Sequence, residues 1–182
     1  MIMTQFISGV KKAFAQWRSS EEGMAAVEAA LVFPLLLTLL LGTFDMGNGI
    51  LANQKAIRAS QITADLIARN ASVDSAMLDD AIKAGELALH PLPTTTFGVD
   101  VVSIRFDDSA NPIIVWRETR NMSPMGDVLT RVQDIAEAGD GVLVVAVQYN
   151  FEPIFAGFVV DNIPMKEIAF GRGRQGAVIE RI

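Results

Sequence analysis

The stretch from Met24 to Phe44 constrains this chain more than any other feature, because its 21 residues are mostly apolar and carry a single charge, the Glu28 carboxylate near the start. As a helix at ~1.5 Å per residue it would extend about 31 Å, close to the ~30 Å hydrocarbon thickness of a bilayer. The segment Leu31-Val32-Phe33-Pro34-Leu35-Leu36-Leu37-Thr38-Leu39-Leu40-Leu41 is apolar on every helical face, whereas a helix resting on a soluble core shows one apolar stripe. Residues 24–44 therefore read as a transmembrane helix. A charge deep in a bilayer costs roughly 2.5–3.5 kcal/mol on insertion scales, so Glu28 calls for a partner or a purpose.

The nearest rival is a secretory signal peptide, since Lys11, Lys12 and Arg18 precede the apolar run. Such a peptide has an apolar region of about 7–15 residues ending at a small-x-small cleavage site. Only Gly47-Asn48-Gly49 approaches that pattern, and it lies late. The three basic residues before the span, against Lys55 and Arg58 after it, favour a cytoplasmic N-terminus with the rest of the chain on the far side of an inner membrane. Within residues 1–23, Ile2, Phe6, Val10, Phe14 and Trp17 recur at near-helical spacing, which suits either a helix lying on the membrane face or a plain basic leader.

A formal net charge of -6 argues against nucleic acid as a partner, because phosphate binding requires a basic surface. The absence of cysteine excludes disulfides and thiolate metal sites. The sole histidine, His90, sits in the Pro-rich turn His90-Pro91-Leu92-Pro93. No nucleophile elbow, phosphate loop or His-Glu-x-x-His pattern occurs. Asp107 and Asp108 read as turn formers rather than calcium ligands, and Arg117, Glu118 and Arg120 as a solvated face. Gly171-Arg172-Gly173-Arg174-Gln175-Gly176 satisfies Gly-x-Gly-x-x-Gly, but a dinucleotide site needs a following helix and an acidic residue about 20 positions on. With the sequence ending at Ile182, the expectation is a flexible basic loop, or one that offers Arg172 and Arg174 to an acidic surface or another subunit. We expect no metal, no cofactor and no enzymatic activity.

Beyond the span, Ala52, Ala56, Ala59, Ile62 and Leu66 recur every three or four residues, with Lys55, Arg58, Gln61, Asp65 and Arg69 opposite. This predicts a stem helix over 45–70 whose second half packs on a head. A further helix is expected from about Val73 to Leu89, with Met77, Leu78, Ala81, Ile82 and Leu89 inward. Strands follow over Val99–Phe106, Ile113–Glu118 and Val142–Asn150, with weaker candidates at Ile168–Phe170 and Val178–Ile179. The fold class is α+β: a long N-terminal helix and a head, residues 71–182, built on an antiparallel sheet of about three to five strands.

The N-terminal pattern resembles a known family. A basic leader, Gly23 immediately before an apolar helix, and Glu28 as the fifth residue after it are similar to the processing site of type IV prepilins. Glu28-Ala29-Ala30-Leu31-Val32-Phe33-Pro34-Leu35-Leu36-Leu37 resembles the signature of TadE/TadG-like proteins, minor pseudopilins of tight-adherence (Flp-type) pili, although Ala29 stands where Phe or Tyr is common. Further on, Tyr149-Asn150-Phe151-Glu152-Pro153 resembles the Tyr-x-Phe-x-Pro strand ending of TadE-like sequences. The resemblance implies a pilin-like fold, cleavage by a prepilin peptidase between Gly23 and Met24, and a need for Glu28 in assembly. It implies other pilins and pseudopilins and an inner-membrane assembly platform as partners, with the head in the periplasm. Cleavage would free an amine on Met24, one helical turn from Glu28. Glu28 would then pair with the amine of a neighbouring subunit, or else snorkel to the headgroups alone. Ala25 and Ala29, Ala26 and Ala30, and Thr38 and Gly42 would allow close helix approach, and Pro34 predicts a kink or local loosening. An uncleaved single-pass periplasmic scaffold and a membrane-anchored enzyme are the alternatives.

Overall fold

The computed structural model describes residues 21–133, 135–157 and 159–182; the leader residues Ile2, Phe6, Val10, Lys11, Lys12, Phe14, Trp17 and Arg18 lie outside them. Helix α1 runs Glu21–Ala68. It is followed by strand β1 (Ser72–Val73), helix α2 (Ser75–Leu87), strands β2 (Gly98–Phe106) and β3 (Pro112–Arg120), the short helix α3 (Val128–Val132), and strands β4 (Gly141–Phe151), β5 (Ile163–Gly171) and β6 (Glu180–Arg181). The architecture is a long N-terminal apolar helix followed by a small antiparallel sheet domain. Two compact units result, one ending at Asp45 and the other Met46–Ile182.

In the second unit the four-stranded sheet has the order β3-β2-β4-β5, every neighbouring pair antiparallel. Central strand β4, Gly-Val-Leu-Val-Val-Ala-Val-Gln-Tyr-Asn-Phe, is apolar almost throughout because both of its faces are covered. Leu143, Val145, Val147 and Tyr149 join Val99 and Val101 of β2 in the larger core, with Ala52, Ala56, Ala59 and Ile67 of α1 and Leu78 and Ala81 of α2. Val142, Val144 and Ala146 join Val102, Ile104 and Phe106 on the opposite face, beneath Met125, Val128 and Val132. Sequence patterning gave no sign of α3, a single turn, as the lid on this second face.

The buried face of α1 in this unit is Ala52, Ala56, Ala59, Ser60, Thr63, Ala64, Ile67 and Ala68, so Ile62 and Leu66 lie at its margin, half-buried. Small residues sit deepest because another backbone comes close there. A Cβ added at Gly85 of α2 would stand 2.2 Å from Thr63 Oγ1 and 3.1 Å from the Ala59 carbonyl oxygen. Gly85 is accordingly buried, and Met77, expected inward, is exposed. The N-terminus of α2 is capped by Asp74, whose carboxylate accepts from the Met77 N–H at 2.7 Å.

The Asp107 turn joins β2 to β3 as its composition suggested. Its Oδ1 accepts from the backbone N–H groups of Ser109 and Asn111, at 2.9 and 2.8 Å. The bond from Asn111 leads, against desolvation, in holding the Asp107 carboxyl below the ordinary range. Strand β5 extends five residues beyond the Ile168–Phe170 candidate on its N-terminal side and one on its C-terminal side, pairing Phe151 with Ile163 through Leu143 with Gly171. Val178–Ile179 is not a strand; the paired residues are Glu180 and Arg181, lying parallel to β1.

Candidate functional site

Of the residues singled out near the N-terminus, Gly23, Met24 and Glu28 fall on α1. Gly23 is buried, Met24 is 61% exposed and Glu28 is exposed. Met24 and Glu28 lie on one face, one turn and about 6 Å apart along the axis. Val27, Leu31, Val32, Phe33, Leu35, Leu36, Leu37, Leu39, Leu40 and Phe44 are exposed as well, covering the whole circumference. No residue of the most apolar 18-residue window is buried, and the helix is long and apolar enough to cross a membrane. Glu28 is thus presented on the outside of an apolar rod rather than folded into a core.

The two threonine hydroxyls of this segment are satisfied within the helix, as a low-dielectric surrounding demands. Pro34 lacks an N–H and leaves the Ala30 carbonyl without its helical donor, yet α1 continues through it as one element. Thr38 Oγ1 donates to the Pro34 carbonyl at 2.8 Å, and Thr43 Oγ1 donates likewise to the Leu39 carbonyl. Ala25, Ala26, Ala29 and Ala30 are exposed, and a Cβ added at Gly42 would meet nothing within 4 Å. Those small residues leave room for a second helix to approach.

Residues 23–65 match the family model described as TadE-like protein. No curated protein and no solved structure matches the chain. The TadE-like match agrees with the resemblance to the TadE/TadG-like family of tight-adherence pili, and with the apolar helix it supports a pilus-related membrane protein. It begins at Gly23, takes in Glu28 and the Pro34-Leu35-Leu36-Leu37 run, and ends before β1, so the sheet domain lies outside it.

Outside the TadE-like segment, the structure corrects the solvated face assigned to Arg117, Glu118 and Arg120. Asp100, a carboxylate in the middle of β2, is completely buried. Arg117 donates to it through Nε at 2.9 Å and Nη2 at 2.5 Å, Thr119 Oγ1 donates at 2.7 Å, and the Met125 N–H donates at 2.9 Å. Burial alone would raise the Asp100 pKa. The Arg117 guanidinium, the Met125 N–H and the Thr119 hydroxyl outweigh that and hold it below the ordinary carboxylate range. Arg117 Nη2 also donates to the Met125 carbonyl at 2.9 Å, so the cluster pins the segment leading into α3 against the sheet. On the other face, Glu118 accepts from Arg120 and Arg181, and Arg120 reaches Asp79 of α2 at 2.5 Å.

The glycine-rich segment after β5 is not a free basic loop. The Arg174 N–H donates to the Ala68 carbonyl at 2.9 Å, closing the C-terminal end of α1, and its guanidinium pairs with Asp65. Arg172 lies 3.5 Å from Asp140. Both arginines thereby make ion pairs inside the domain while their side chains stay about 60% exposed. Gly173 permits the tight turn, since a Cβ there would stand 2.3 Å from the Gly176 carbonyl oxygen. Beyond it the Ile179 carbonyl accepts from both Ser103 Oγ, at 2.8 Å, and Trp116 Nε1, at 2.7 Å.

The signal for the Asp100 cluster was present but incomplete. A lone Asp inside Gly-Val-Asp-Val-Val-Ser-Ile-Arg-Phe marks a charge in an apolar strand, and hairpin register places Thr119 opposite it. Register alone would have required knowing the bulge between Ser103 and Ile104.

Proposed function

We propose that the chain is a minor pilin-like subunit in the assembly of a tight-adherence pilus, inserted in the inner membrane, cleaved by a prepilin peptidase between Gly23 and Met24, and acting as a structural component rather than an enzyme. The observation that carries this proposal is the TadE-like match starting at Gly23, on a helix that exposes Met24 and Glu28 one turn apart. Cleavage would create an ammonium on Met24. In a filament, the Glu28 carboxylate of one subunit would meet the Met24 amine of a neighbour, removing two uncompensated charges from an apolar surrounding. The exposed Ala25, Ala26, Ala29 and Ala30 would let the helices come close enough for that pair to form. The head would face the periplasm and make the specific contacts with other pilins, pseudopilins and the assembly platform.

The decisive test compares wild type with Glu28→Ala and Glu28→Gln in pilus-producing cells. Both variants are expected to insert and to fold, since Glu28 contributes nothing to a core, yet to be absent from sheared pilus fractions. Normal incorporation of either variant would refute the charge pairing.

A further inference from the structure

Among the described residues, the β4–β5 connection is a second strongly apolar exposed feature. Pro153-Ile154-Phe155-Ala156-Gly157-Phe158-Val159-Val160 contains no polar side chain, and it is bounded by Glu152 on one side and Asp161-Asn162 on the other. Among its described residues Val159 is 72% and Ile154 66% exposed, and Phe155, Val160 and the following Ile163 are exposed too. Surface loops are ordinarily polar, and contiguous apolar exposure of this kind marks a surface that meets something other than water.

Its position selects the occupant. A Cβ added at Gly49 would lie 3.5 Å from the Phe151 ring, and Asn48 shares with Ile154 the lining of one cavity of about 290 Å³. The base of the loop therefore lies against residues 48–49 of α1, only four residues after Phe44, the last apolar residue of the span. Met46, Ile50 and Leu51, on the same stretch of α1 as Asn48 and Gly49, are exposed too. The loop also folds part of its own backbone inward: the Val159 and Val160 N–H groups both donate to the Ala156 carbonyl at 2.9 Å. That internal satisfaction is what entry into a poorly hydrated layer demands.

We propose that the β4–β5 loop, residues 152–162, is a second membrane contact, dipping Ile154, Val159 and Val160 into the interfacial layer of the bilayer that the Met24–Phe44 helix crosses. This rests on the membrane-spanning reading of that helix. The flanking Glu152 and Asp161 remain at the headgroup level, and no basic side chain lies between them, so the contact is driven by apolar burial and needs no anionic lipid. It would fix the orientation of the head on the membrane before assembly and would have to be withdrawn when the subunit leaves the bilayer.

The test uses the full chain, one copy per phosphatidylcholine nanodisc. Because the sequence has no cysteine, Leu36→Cys, Val159→Cys and Ser109→Cys can each carry a single nitroxide label. Accessibility to oxygen is compared with accessibility to a water-soluble nickel chelate. The labels at 36 and 159 are expected to favour oxygen several-fold over the label at 109, in the β2–β3 turn. A label at 36 that favours oxygen beside a label at 159 matching 109 would overturn the loop contact and leave the span intact. A label at 36 that favours nickel would overturn the span, and the loop contact with it. Protection of 159 from both reagents would mean that protein rather than lipid covers the loop, and protection seen only when discs hold several copies would assign it to a second copy; either result contradicts the proposal.

Discussion

Residues 24–44 and residues 52–68 belong to one helix and each presents an apolar surface, all round in the first and on one face in the second, yet they solve opposite problems. In the first, Leu, Phe and Val are exposed all round and the threonine hydroxyls bond along their own helix. In the second, the apolar positions that matter are alanines, completely buried at Ala52, Ala56 and Ala59, with a glycine of α2 pressed against Ala59 and Thr63. Bulk suits a helix that must fill lipid, and smallness suits one that must admit other backbones. Charge divides in the same way. The span holds the single exposed carboxylate Glu28, whereas the head buries Asp100 and surrounds it with donors.

That contrast can be broken most severely in the head. Asp100→Ala leaves the Arg117 guanidinium and the Met125 N–H without their acceptor, and loss of one partner of a buried pair costs about 3–5 kcal/mol. Urea denaturation of the full chain in detergent should register it, and a variant as stable as wild type would mean that the cluster is decorative. The same group sets an acid limit. Its folded pKa is depressed, so its stabilisation is fully present above the unfolded carboxylate value of about 3.9 and is lost as pH falls through the folded value. Wild type should lose stability below about pH 4 more steeply than Asp100→Asn, measured by thermal melts across the acid range.

The span should respond to the reverse operation, adding a charge. Leu36→Arg is expected to cost about 2.5–3.5 kcal/mol of insertion, read as a loss of membrane-extracted protein, while Leu36→Ile changes nothing measurable. Gly85→Val drives a side chain into Thr63 and the Ala59 carbonyl, an overpacking that costs about 1–3 kcal/mol in thermal or denaturant unfolding. Gly42→Val in the span meets no such atom and should leave unfolding of the isolated subunit unaltered. The smallest effect belongs to Arg174→Ala. Its ion pair with Asp65 is exposed and its capping N–H is retained, so the thermal midpoint should shift less than for Gly85→Val.

Much of this was legible in the residues because it depends on periodicity. The apolar helix, the Ala52-Ala56-Ala59 face, the Asp107 turn and the β4 run follow from spacing and composition alone. The rest depends on which strands meet. Asp100 has meaning only once β3 and the segment before α3 are folded over it, and Arg172 and Arg174 look free until the C-terminal segment is seen against Ala68 and Asp140. Met77 and Ile62 fell to the margins because a glycine and a threonine allowed closer helix approach than larger residues would. Gly23 and Glu28 were singled out for a different reason: the purpose we propose for their spacing needs no tertiary contact within the chain.

The central claim is that Glu28 finds its partner in an amine that exists only after cleavage. Mass spectrometry of the mature N-terminus, on protein recovered from cells with an active prepilin peptidase, tests it most directly. The account predicts a chain beginning at Met24; a chain still beginning at Met1 would contradict it.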